Sequence, residues 1–135
     1  MHNTLNNDET LLINVFLSRI QFLSCKEKNL LKKNIDNLSK LVLMSIEDIS
    51  LQIQRYIKKT NWDSQENLRM SKVVIHYCKL MNITILSYDD INYPELLRQT
   101  DNPPFVLYCR GDYSLLVNKS VSVVGSRRVS FAGRK

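Results

Sequence analysis

Apolar residues recur along the first eighty positions at helical rather than strand spacing. Leu12, Val15, Phe16, Ile20 and Leu23 share one face at a period of 3.6 residues. Leu30, Leu31, Ile35 and Leu38 form a second, shorter face, and Ile46, Ile49, Ile53, Tyr56 and Ile57 a third. The fourth and clearest runs through Met70, Val73, Val74, Tyr77 and Met81. "SIED" opens the third helix as a capping box, in which the Ser45 hydroxyl and the Asp48 carboxylate satisfy amides that a helix start leaves free. Asp63 or Ser64 caps the fourth, and Asn82 suits a left-handed stop after it. Such faces most simply become each other's core, so residues 1–82 read as a small helical bundle.

From residue 83 the pattern shortens. "ITILS", "FVLYC" and "VSVV" are brief apolar runs with β-branched residues, and each reads as a buried strand. All three glycines (Gly111, Gly125, Gly133) and all three prolines (Pro94, Pro103, Pro104) lie in this part. Pro94 starts a short helix, "PELLRQ", where its missing N–H costs nothing, and "DNPP" enforces an extended or turned connection before the second strand. The expected division is a helical module over 1–82 and an α/β part over 83–135.

Charge sharpens the contrast between the halves. Residues 1–112 hold 14 Lys+Arg against 13 Asp+Glu, whereas no acid follows Asp112. Lys119, Arg127, Arg128, Arg134 and Lys135 therefore carry nearly all of the net +6, and an anionic partner is expected at that end. The lysines of "KEKNLLKKN" read as a solvated helix face. Cys25, Cys78 and Cys109 are odd in number and far apart, which points to reduced, packed thiols rather than a disulfide or metal site. His2 and His76 have no ligand-like company. Arg19 interrupts the most apolar stretch, and acids precede it, so neither a membrane span nor a secretion signal is expected and a cytoplasmic location is the default.

The candidate chemistry lies in "VSVVGSRRVS", laid out as a strand, a tight turn and a helix start. Gly125 permits close approach of a phosphate, the Ser126 amide and hydroxyl offer donors, and Arg127 can clamp phosphate oxygens or lie on a base. A glycine that merely clears a turn, with basic residues solvating a surface, accounts for the same spacing. No GxGxxG frame or Walker lysine is present, so a nucleotide cofactor is not expected. Ser126 has no base nearby in sequence, and Asp89 and Asp90 are explained by a turn, so no catalytic residue and no metal site are assigned.

The order of these pieces resembles the DNA-processing protein A family (DprA, also called Smf). "ITILSYDDINYPELL" supplies its strand, acidic turn and Tyr-Pro, here Tyr93 and Pro94. Pro103, Pro104, Leu107, Tyr108 and Gly111 supply its proline-led strand ending in glycine. Val124, Gly125, Ser126 and Arg127 supply its Val-Gly-Ser/Thr-Arg turn, and Ser130 and Gly133 fit the run-out into its first helix. The resemblance implies a Rossmann-like domain, truncated here, behind a helical module that is sterile-alpha-motif-like or helix-hairpin-helix-like. It implies single-stranded DNA binding in natural transformation and recombination, with protection of the strand and its delivery to the recombinase RecA. No enzyme activity and no membrane partner are implied, and a homodimer only for the full-length parent. Gly125, Ser126 and Arg127 inherit a role in holding the strand. Arg128 and Lys135 would help electrostatically, and Phe131 is a candidate for base stacking. Only ten residues follow Gly125, so the expectation is of an N-terminal fragment that binds DNA weakly on its own. A phosphate- or nucleotide-binding hydrolase on a related Rossmann-like sheet, and a helical protein-docking module, are the alternative readings.

Overall fold

Helix α1 (Asn7–Ser18) is the organising element, because it buries Ile13, Val15, Phe16 and Leu17 and leads into buried Ile20 and Leu23. The computed structural model describes residues 7–35, 37–58 and 60–128. Around α1 stand α2 (Cys25–Asn34), α3 (Leu38–Leu43), α4 (Ile46–Ile53) and the long α5 (Ser64–Leu80). Leu31, Leu41, Ile49 and Ile53 close the core from α2, α3 and α4. Trp62 stands edge-on to Phe16 and Phe22, with ring centroids 5.9 and 5.7 Å away, and its indole N–H donates to the Met44 carbonyl at 3.3 Å. Aromatic edges meeting faces in this way add to simple burial.

The helix starts are capped as their sequences dictate. Ser45 Oγ accepts from the Asp48 amide at 3.1 Å while Asp48 Oδ2 accepts from the Ser45 amide at 2.9 Å. Asp63 Oδ1 accepts from the Glu66 amide at 3.0 Å. A second reciprocal box, which the hydrophobic pattern does not reveal, joins Ser24 and Glu27 at the start of α2. An additional helix, α3, is capped by Asn37, whose Oδ1 accepts from the Lys40 amide at 3.0 Å. The face of Leu30, Leu31, Ile35 and Leu38, expected as one, is thus split between two helices.

Polar side chains finish the C-terminal end of α1, where a helix leaves carbonyls unpaired. Asn67 Nδ2 donates to Phe16 O at 3.0 Å, the Ile20 amide to Leu17 O at 3.1 Å, and Lys28 Nζ to Ser18 O at 3.2 Å. The face of α5 that meets α1 is accordingly small and polar, with Asn67, Ser71 and Cys78 buried. This rotates the helix from its expected orientation and leaves Val73, Tyr77 and Met81 exposed. Tyr56 is exposed for another reason: Gln54 turns left-handed (φ 54°) after α4, so Tyr56 leaves the helical face.

Arg55 secures that turn. It donates to Glu27 Oε1 at 2.5 Å, to Glu27 Oε2 at 3.1 Å and to Phe22 O at 2.8 Å. The Arg55 hydrogen bond, helped by the Ser24 cap, holds the Glu27 carboxyl below its ordinary value of 4.5 against the opposing effect of burial. A carboxylate with a depressed folded-state pKa stabilises above its unfolded pKa, and that stability fades as pH falls through the folded value. Glu27→Gln should therefore lower the urea midpoint at pH 7, and the difference from the parent should shrink toward zero by about pH 3. An equal penalty at both pH values would show that the charge has no part in it.

Asn82, at φ 52°, turns the chain from α5 into strand β1 (Ile83–Ser87). After a turn and the short helix α6 (Glu95–Arg98), strand β2 (Val106–Arg110) returns antiparallel to β1, pairing Ile83 with Arg110 and Ser87 with Val106. Phe105 and Val106 join the helical core, so helices and strands share one apolar interior. The architecture is mixed, about half helical, with a small antiparallel sheet.

Two expectations are corrected here. β1 and β2 are half-buried and antiparallel rather than buried on both faces, because among the described residues the sheet has only these two strands and leaves Tyr108 exposed. "VSVV" forms no strand: Val121, Val123 and Val124 are 91%, 96% and 90% exposed in irregular chain. A run apolar on both faces holds as a strand only between paired neighbours and covering layers. Among the described residues, β1 and β2 pair solely with each other.

Candidate nucleic-acid interface

Residues 88–104 are closed on themselves by a compact polar lock. Tyr93 is 2% exposed, and its hydroxyl donates to the Pro104 carbonyl at 2.7 Å, tying the turn after β1 to the residues before β2. The Arg98 guanidinium lies over the Tyr88 and Tyr93 rings, 5.5 and 5.3 Å from their centroids. It also donates to Tyr88 O at 3.2 and 3.0 Å and to Asp90 O at 3.0 Å. Loop carbonyls that no strand could satisfy thus find a donor on α6. Pro94 precedes that helix as its N-terminal flanking residue.

Outside contacts anchor the same segment. Lys32 Nζ pairs with Asp89 Oδ2 at 2.8 Å, Asn14 Nδ2 donates to Ser87 Oγ at 2.8 Å, and the Cys25 amide donates to Asn102 Oδ1 at 2.8 Å. Burial opposes ionisation of Asp89, but its hydrogen bond and charge contact with Lys32 outweigh burial and hold the carboxyl below the usual range. Asp89 is therefore used in anchoring the turn to α2 and Asp90 in the turn itself, Asp90 Oδ1 accepting from the Asn92 amide at 2.9 Å. Among the described residues no group of three or more His, Cys, Asp or Glu side chains gathers as a metal site.

Beyond β2, Gly111 adopts φ +99°, a conformation that side chains rarely accept, and redirects the chain. Asp112 then caps a 3-10 turn over Tyr113–Val117. From Asn118 to Arg128 the backbone is irregular and exposed. Gly125, Ser126, Arg127 and Arg128 lie together on this stretch, away from the core. A Cβ at Gly125 would meet nothing within 4 Å, so the glycine answers no crowding among the described residues. Ser126 Oγ donates to the Arg128 carbonyl, which curls the turn on itself. Among the described residues, neither the Arg127 nor the Arg128 guanidinium meets a carboxylate or a side-chain acceptor. Ser130, Phe131, Gly133, Arg134 and Lys135, together with His2, lie outside the described residues.

The sequence reading overlooked Arg98, the donor that closes the loop, and Lys28, which is buried despite lying in a lysine-rich run. A signal for Lys28 exists, since it falls on the same α2 face as Leu31 and Ile35 at spacings of three and seven.

The comparisons with known proteins bear on this segment alone. No curated protein and no solved structure matches the chain. Residues 84–135 match the sequence model of the family described as DNA recombination-mediator protein A. That range takes in the Tyr93–Arg98 lock, both prolines before β2 and the Gly125–Arg128 turn. Residues 84–135, the C-terminal part of the chain, are thus similar to DNA recombination-mediator protein A (DprA).

Proposed function

We propose that the chain serves DNA processing in recombination by holding single-stranded DNA, without catalysing a reaction on it. One observation carries the reading: within the family-matched segment, Arg127 and Arg128 stand exposed beside Gly125 and Ser126, and no acid among the described residues neutralises them. Backbone amides and the Ser126 hydroxyl would meet phosphate oxygens, and a guanidinium would clamp phosphate or lie on a base. Residues 83–135 would be the N-terminal part of a Rossmann-like domain. Residues 1–82 would be a sterile-alpha-motif-like or helix-hairpin-helix-like module in front of it. Delivery of the strand to the recombinase RecA, in natural transformation among other settings, follows from the family resemblance.

Fluorescence anisotropy with labelled oligothymidylate tests the reading on the full chain. Binding should be weak and should fall with salt by roughly 0.7 log units per log unit of salt for each phosphate neutralised. Arg127→Ala should remove about one such contact, and cost about 1–3 kcal/mol where the guanidinium also stacks on a base. Unchanged affinity and salt slope in Arg127→Ala would reject the assignment.

A further inference from the structure

A second cationic feature lies in a cleft of about 430 Å³ between the end of α1, the start of α2 and residues 102–108. Its walls include Arg19, Lys28, Asn102 and Tyr108, and no carboxylate. Lys28 is only 9% exposed, and among the described residues its ammonium has a single hydrogen-bond partner, the neutral Ser18 carbonyl at 3.2 Å. Capping α1 accounts for one of its three N–H groups and leaves two without an acceptor among the described residues. A buried cation without a counter-charge is costly, and burial accordingly pulls the Lys28 ammonium below its ordinary range.

The neighbouring acids are already committed. Glu27, on the same helix, is held by Arg55 through both oxygens. Glu66 feels the charge of Arg19, but its two oxygens are taken by Arg69 at 2.8 and 2.7 Å. Arg19 uses Nε on Asn67 Oδ1 at 3.2 Å, which leaves its terminal nitrogens as donors, and its charge reaches the Tyr108 hydroxyl. Asn102 spends its oxygen on the Cys25 amide, so its Nδ2 is left as a donor. The cleft therefore presents donors from three different elements and two positive charges.

We propose that this cleft is a phosphate-oxyanion site, in which Lys28 and Arg19 hold the charge and Asn102 supplies a further hydrogen bond. Donors converging from three walls suit a tetrahedral group better than a planar carboxylate. The phosphate is either free, as inorganic phosphate or a monoester, or part of a nucleic-acid backbone. The site does not depend on the Gly125–Arg128 turn.

The test titrates inorganic phosphate into the full chain at ionic strength held constant with sodium chloride, following the backbone amide resonances of Cys25, Lys28 and Tyr108. Saturable shifts are expected, with affinity lowered at least about tenfold in Lys28→Met, which keeps the packed stem but loses the charge. Arg19→Gln, at a half-buried position, should weaken binding similarly and carries the test should Lys28→Met fail to fold. In a parallel oligothymidylate titration, a strand seated in the cleft loses affinity in Lys28→Met and is displaced by phosphate. A strand that responds to Arg127→Ala alone assigns the cleft to free phosphate, provided the phosphate shifts are present. Loss of the Arg127 effect with the phosphate shifts intact would reject the turn and leave the cleft standing. Absence of saturable shifts, or shifts that both cleft variants leave unchanged, would overturn the proposal.

Discussion

Phe16→Ala should destabilise the protein by about 3–5 kcal/mol, the range for truncating a fully buried aromatic. Phe16 is 0% exposed and sits where α1 meets the edge of Trp62, so the lost ring removes both its burial and an aromatic contact. Its surroundings have little freedom to collapse into the space. Its own carbonyl is fixed by Asn67, and Trp62 is held by the Met44 carbonyl. Against a total stability of about 5–15 kcal/mol for an ordinary domain, the variant should be partly unfolded at 37 °C. Urea unfolding followed by Trp62 fluorescence measures the loss, because the indole lies against the altered site. Leu51→Ala is the control: Leu51 is 77% exposed, and its truncation should cost under about 0.5 kcal/mol. If the two variants were equally stable, α1 would not be the centre of the core.

The same contacts mark how far the fold can be read from the chain. The faces of α1 and α4, the Ser45–Asp48 box, the Asp63 cap and the left-handed Asn82 are all legible, since each follows from residues within one or two turns. What escapes is set by distant partners. The inward face of α5 is polar because Asn67 completes a carbonyl on α1, 51 residues away in sequence, and a search for apolar periodicity points to the wrong side. β1 and β2 are found as strands, but their mutual direction depends on the turn that Arg98 closes rather than on their own composition. "VSVV" has strand composition without strand partners among the described residues, so propensity alone does not settle it. The Gly125–Arg128 turn is legible as an exposed basic stretch. The Lys28 cleft is not, for it needs the end of one helix, the start of the next and a strand 80 residues later to be brought together.

Tyr93→Ala should cost about as much as Phe16→Ala, about 3–5 kcal/mol, but with a different pattern of loss. Tyr93 packs against Tyr88, with ring centroids 5.5 Å apart, and carries the Arg98 guanidinium on its other contacts. Removing the ring strips Arg98 of one of its two aromatic supports and unties the turn from Pro104. Loss should therefore concentrate in residues 88–105, with amide exchange there accelerating more than in α1 or α5. Tyr93→Phe separates the two contributions, because it keeps the ring and removes only the hydroxyl that donates to Pro104. That variant should lose about 1 kcal/mol, the net worth of one neutral hydrogen bond. The lock lies within the family-matched residues and sets where β2 begins, so it also sets where the chain departs toward Gly125. A Tyr93→Ala protein whose exchange rates rise uniformly, or not at all, would show that this tyrosine fills space without holding the segment in place.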